Sequence, residues 1–201
     1  MSKKSWLSAL LMTVLAVGST LAGAQKNSGL QPSSPRELAR ATSQQPASII
    51  TTPELTKPIL DEIEDIAQRT VASAEDFPDD LYNTYRPKGD PDVRTAAQIL
   101  LHIAAQNYGA AKFIRTKQQE EALIAAGKQP AAKDILTFVS KEDTVTKVKG
   151  SFAAVRQAIQ ENPDPKNLEI WLHVIAHGNG HFGNLVTYYR NNGLVPPTSR
   201  Q

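Results

Sequence analysis

The chain has 201 residues, with 22 basic and 20 acidic side chains, 40% hydrophobic residues and no cysteine. The missing cysteine excludes disulfides and thiolate ligands, so any metal has to be held by nitrogen or oxygen. The near balance of charge excludes the strongly basic surface that nucleic acid or an anionic membrane demands.

Lys3 and Lys4 open the chain, an apolar run extends from Trp6 to about Val17, and Ala22-Gly23-Ala24 precede Gln25. A basic start, an apolar centre too short to span a bilayer and small residues at a cut predict a secretory signal peptide over residues 1–24. The mature protein is then exported, periplasmic or secreted, with no membrane association after cleavage. Removing the leader takes away two lysines and no acid, leaving 20 basic and 20 acidic residues. No nucleic-acid partner is expected of that balance. Residues 25–52 are rich in Gln, Ser, Pro and Ala, a composition that buries too little apolar surface to offset its ordering entropy, and are expected to be a disordered tether. Residues 53–201 form the domain, long enough for one substantial core.

The first helix is expected from Thr56, as N-cap with Pro58 in the first turn, because Ile59, Ile63, Ile66, Ala67, Thr70, Val71 and Ala74 recur at helical spacing. Pro78, Pro87, Gly89 and Pro91 make the next stretch a long, mostly irregular crossover anchored by Tyr82 and Tyr85. Thr95-x-x-Gln98 reads as a capping box that opens the second helix, whose apolar arc is Ala96, Ile99, Leu100, Ile103, Ala104, Ala111 and Ile114. "GKQPAA" marks a loop. Ser140-x-x-Asp143 then starts a third helix carrying Val145, Val148, Phe152, Val155 and Ile159. A fourth runs from about Lys166 to Gly193, a natural residue just past a helix end. Four long helices and no strand pattern predict an all-α four-helix bundle with a long crossover between helices one and two.

"HGNGHFGNL", His177 to Leu185, contains both G-x-G-x-x-G and H-x-x-x-H. The glycine motif needs a preceding strand, a helix opening after it and an acid about 20 residues on. Here the glycines lie inside a helical pattern and the chain ends first, so a dinucleotide site is excluded. At about 100° per residue, Ile170, Val174, His177, His181, Leu185 and Tyr188 share an arc of roughly 80°, so both imidazoles project with core residues. Residues four apart are neighbours on a helix and can meet one small cation. A third ligand has to come from elsewhere, and His102, at the margin of the arc formed by Ile99, Ile103 and Phe113, is the candidate. His173 lies about 40° further round, toward Lys166, Gly180 and Asn184, and is expected at the rim. Gly178, Gly180 and Gly183 each cost up to about 1 kcal/mol against alanine in a helix. Their lack of side chains is expected to permit close helix approach or to leave room beside the metal.

Three neutral imidazoles leave at least one position open, as in catalytic zinc sites. Zinc is the expected ion; nickel, cobalt or iron accept the same nitrogens. An open position can bind water or a thiolate and hold it deprotonated near neutral pH. The sequence is not the metalloprotease H-E-x-x-H, because Gly178 stands where the general base would be. No carboxylate shares the histidine stripe, so proton transfer falls to water ordered by Gln106, to Tyr188 or to the bound water itself. No G-x-S-x-G elbow and no P-loop is present.

Three stretches, "LYNTYRPKGDPDVRTAAQILLHIAAQNYG", "SKEDTVTKVKGSFAAVRQAI" and "HGNGHFGNLVTYYRNNGLVPPTS", resemble in order those of the DinB-like proteins, small metal-binding four-helix proteins that include thiol-dependent transferases. The resemblance runs from about Ile59 to Ser199. It implies a bundle with the long crossover, a metal triad at His102, His177 and His181, and a divalent ion, commonly zinc, that activates a low-molecular-weight thiol. A homodimer rests on the same analogy alone, and the family's name implies no nucleic-acid chemistry. Two departures stand out. Many relatives carry an acid and a glutamate where this chain has Gly178 and Gly180, and the thiols associated with the family are chiefly cytoplasmic, whereas this chain is expected to be exported. The expected function is a metal-dependent transferase or hydrolase acting on a small molecule, with a non-catalytic metal- or ligand-binding bundle as the alternative.

Overall fold

A computed structural model describes residues 52–200; the expected leader and the tether up to residue 51 lie outside the described residues. Helix α1 spans Thr52–Asp76 and buries Ile59, Ile63, Ile66, Ala67, Thr70, Ser73 and Ala74 along one stripe. It begins a turn earlier than the expected cap. Thr56 lies inside it, donating its hydroxyl to the Thr52 carbonyl at 3.0 Å, and Pro58 removes one donor from the ladder at a point where the helix has already begun.

The crossover is more ordered than its breakers predict. A four-residue helix, α2, covers Asp79–Tyr82, and a 3-10 turn covers Pro87–Gly89, where Lys88 and Gly89 take positive φ. Tyr82 is buried, and Tyr85 sets its ring edge-on to Tyr188 with centroids 5.5 Å apart, so both tyrosines do anchor this segment. Helix α3, Ala96–Ile114, opens on the capping box read from the sequence: the Thr95 hydroxyl accepts from the Gln98 amide at 3.2 Å and the Gln98 side chain accepts from the Thr95 amide at 3.0 Å. Phe113 departs from expectation. It is 72% exposed, because it lies about 80° round the helix from Ile103, and Ile114, 5% exposed, takes the inward position.

Between Ile114 and Ser140 the chain forms two helices that the sequence reading did not assign, α4 at Lys117–Ala125 and α5 at Ala132–Leu136, on either side of the expected "GKQPAA" loop. Helix α4 has its own capping box, Thr116 with Gln119. Buried Arg115 ties this segment down by pairing with Glu120 at 3.6 Å and donating to the Ala154 carbonyl at 3.3 Å. Helix α6, Lys141–Glu161, starts at Ser140, whose hydroxyl accepts from the Asp143 amide at 3.1 Å. Helix α7, Leu168–Asn191, ends in a Schellman turn: Gly193 has φ 71°, its amide donates to the Arg190 carbonyl, and Leu194 donates to the Tyr189 carbonyl at 2.9 Å. The described residues contain no strand.

Four long helices enclose the core, α6 and α7 each packing on both α1 and α3. Contacts across the seams fix their directions. Glu75 pairs with Lys149 at 2.6 Å and Glu64 with Arg156, so α6 runs against α1. Glu62 meets Asn179 at 3.4 Å and Asp76 meets Tyr189 at 3.0 Å, so α7 runs with α1. Asn107 donates to Ser151 at 3.3 Å and Arg115 reaches Ala154, which makes α3 parallel to α6 and antiparallel to α7. Parallel neighbours need a return path along their length, and α4 and α5 supply it, with α5 packed on α3. Trp171, Ile63, Ile66, Leu100, Ile103, Val148, Ile159 and Leu185 fill the interior with at most 1% exposure. Each such aliphatic side chain contributes about 1.5–3 kcal/mol by leaving water. No described helix is long and apolar enough to cross a membrane.

Candidate metal centre

The site forms at the seam between α3 and α7. Their antiparallel course carries His102, near the middle of α3, to the two histidines stacked one turn apart on α7. Ring centroids lie 5.0 Å apart for His102 and His177, 4.9 Å for His102 and His181, and 4.5 Å for His177 and His181. The planes cross at 59°, 87° and 74°, so the rings converge with their edges rather than stack. One nitrogen from each lies within 4.8 Å of the other two, and Nε2 of His102 is 3.1 Å from Nε2 of His177. All three residues expected as ligands are therefore brought together, in a group that can hold a metal ion. Ligand nitrogens around a tetrahedral ion at about 2.0–2.1 Å stand roughly 3.3 Å from one another, so the His102–His177 spacing already fits such an ion.

The rings are partly buried, and this sets their protonation. Desolvation lowers the pKa of His177 to about 4, with His181, His102, His173 and Arg94 adding repulsion. His102 and His181 are lowered for the same first reason; Arg94 repels the charged form of both, and His102 also repels that of His181. Near neutral pH the group is uncharged, which is the form that binds a cation. The side-chain amide of Asn184 lies 3.3 Å from Nδ1 of His181. The contact is made by the Asn184 amide nitrogen, Nδ2, and it fixes the orientation of the His181 ring.

His173 stays outside this group. It is exposed, stacks on His177 with centroids 5.6 Å apart and an interplanar angle of 23°, and borders a separate groove of about 340 Å³ beside Phe113 and Ile170. Of the two roles expected of the glycines, the structure shows close helix approach, and only at Gly178. Gly178 is buried, and a Cβ there would lie 2.8 Å from Cγ2 of Ile66, so this residue lets α1 approach α7 beside His177. Gly180 and Gly183 are exposed and would meet nothing within 4 Å. Behind the histidines, Arg69 donates to Asn179 at 3.3 Å and covers the Phe182 ring at 5.1 Å, fastening the same seam.

Two groups considered for proton transfer lie differently from that role. Gln106 is exposed, and the Tyr188 hydroxyl donates to the Arg94 carbonyl at 2.6 Å. Tyr188 thus fixes the backbone at the start of α3. Above it an open cleft of about 480 Å³ reaches His102, lined also by Arg86, Arg94, Gln98, Leu101 and Leu136. A roomier cleft of about 540 Å³, between Phe113 and the turn before α7, includes none of the histidines and has no convergent chemistry. The cleft arginines escaped the sequence reading: both sit in the crossover, where no periodicity assigns them a face.

No protein-family model, curated protein or solved structure matches this chain.

Proposed function

We propose that the protein binds a divalent metal ion through His102, His177 and His181 and acts as a metal-dependent enzyme on a small molecule, by group transfer or hydrolysis. The observation that carries this reading is the convergence of imidazoles 75 positions apart in the chain on one point in the seam. Core packing alone gives no reason for three polar rings to meet there edge to edge, each raising the cost of charging the next. A bound divalent ion would supply Lewis acidity, bringing the pKa of a water or thiol ligand toward neutrality. The chain's part is to keep the rings unprotonated by burial, to orient His181 through Asn184, to set the seam through Gly178, and to admit a small molecule to His102.

Zinc is the ion this nitrogen set suits best, with nickel or iron next. The proposal extends to a DinB-like four-helix bundle, supported by two parallel pairs of long helices and by the motifs around His102 and His177, and to export, supported by the leader-like first 24 residues. One observation favours a second reading, a metal- or ligand-binding bundle without catalysis. The converging group consists of histidines alone, and the side chain bonded to His181 is an amide, Asn184, which cannot move a proton as a carboxylate can.

Metal analysis and calorimetric titration of zinc into the purified domain test the assignment. The His102→Ala, His177→Ala and His181→Ala proteins should each lose uptake, and His173→Ala should keep it. Equal uptake by the wild type and all four variants would refute the site. A metallated wild type inert toward a panel of thiols, electrophiles and esters would select the second reading.

A further inference from the structure

The cleft at the head of α3 shares His102 with the histidine group, and its walls say what could lie there. Two guanidiniums, Arg86 and Arg94, line it together with Leu101, Leu136 and Gln98, whose side-chain oxygen accepts from the Thr95 amide. Arg86 is partly engaged, donating through Nη1 to the Val93 carbonyl. That bond and the Tyr188 hydroxyl on the Arg94 carbonyl hold the backbone on which Arg94 stands from both sides. The Arg94 guanidinium itself makes no hydrogen bond or ion pair among the described residues. One acid, Asp92, also faces the cleft, and it leaves the walls with a surplus of positive charge.

An unpaired arginine on a fixed backbone is well suited to a planar or tetrahedral oxyanion, because its fork of donors binds two oxygens at once. The volume, about 480 Å³, lies in the range of about 300–1,000 Å³ typical of small-molecule sites. The ion's own charge would add to that of the arginines. We propose that the cleft takes a small anionic molecule, a carboxylate or phosphate ester, with Arg94 gripping the oxyanion and the rest of the molecule directed toward His102. Arg94 is here a substrate-binding and specificity-determining residue. The inference rests on the metal assignment above and deepens it by naming the substrate class.

The test uses the full domain loaded with cobalt(II), whose visible absorption first establishes whether the histidines hold an ion. Succinate and methyl phosphate are then titrated, with neutral succinamide as control, and binding is read by calorimetry and by the shift of the cobalt bands. Both anions should bind, succinamide should not, and Arg94→Gln should weaken the anions about tenfold or more. Arg94→Lys should recover part of the loss, since a point charge replaces the fork. Both variants should still bind cobalt, because Arg94 is exposed and outside the ligand set, and Arg94→Gln should bind it no more weakly than the wild type, since a positive charge that repels all three rings is removed. Cobalt bound but anions ignored, or bound equally by Arg94→Gln, overturns the proposal and leaves the metal site standing. No cobalt bound overturns both.

Discussion

Gly178 is where the seam beside the histidines can be tested by adding one carbon. In an unobstructed helix, glycine to alanine stabilises by about 0.8–1 kcal/mol. At Gly178 the new methyl would stand 2.8 Å from Cγ2 of Ile66, against an optimal carbon separation of about 3.5–4.0 Å. Ile66 is 1% exposed and β-branched on a helix, so rotating away costs about 0.5–1.5 kcal/mol, and parting α1 from α7 disturbs the packing along the seam. Overpacking of this kind costs about 1–3 kcal/mol, so after the propensity gain Gly178→Ala should destabilise the domain by about 1 kcal/mol. Gly180→Ala meets nothing within 4 Å and should stabilise by nearly the whole propensity gain. At roughly 2–4 °C per kcal/mol for a domain of this size, the two variants should melt about 4–8 °C apart, on opposite sides of the wild type. Circular dichroism at 222 nm with metal removed reads this directly. A double-mutant cycle isolates the contact: in an Ile66→Ala background, which lacks Cγ2, Gly178→Ala should become stabilising. If Gly178→Ala and Gly180→Ala raise the melting temperature alike, close approach of α1 and α7 is not why residue 178 is glycine.

The metal-free protein should lose stability as pH falls from the ordinary histidine value of 6.5 toward 4, because the unfolded chain takes up protons that partly buried His177 refuses; chemical denaturation at pH 7 and pH 5 measures it, and an unchanged midpoint would contradict the burial argument. Zinc at about one hundred times its dissociation constant should stabilise the wild type by about 2.7 kcal/mol and leave His177→Ala unmoved, a difference read as melting temperature with and without chelator. Thr95→Ala removes both the cap of α3 and a 3.0 Å contact with Asn83, and should cost about 1–2 kcal/mol in urea unfolding. Phe113→Ser, by contrast, should change stability by less than about 0.5 kcal/mol, since the ring is 72% exposed.

Where the sequence was legible, a local chemical rule decided the structure. Thr95 with Gln98, Ser140 with Asp143 and Gly193 mark helix ends through hydrogen bonds among neighbours, and those bonds are present. His177 and His181 could be placed on one stripe by counting residues. Helix α4 carries the same signal, Thr116 with Gln119, but its apolar residues are too few to show a stripe. Phe113 shows the limit of counting, because an arc has margins and only packing decides which side of a margin is wet. The parallel course of α3 and α6, and the cleft that Arg86 and Arg94 line, have no local signature. They arise from contacts between segments tens of residues apart, and no propensity reports those.

One ligand stands on α3 and two on α7, 75 positions away along the chain. In a disordered chain only the neighbouring pair on α7 could chelate, so a cation shared by all three rings acts as a reversible cross-link that closes a long loop at the expense of unfolded entropy. The turn at 126–131 lies within that loop and is mostly exposed. A polypeptide nicked there would leave its two pieces clasped through coordination as well as packing, and stripping the ion would loosen that grip.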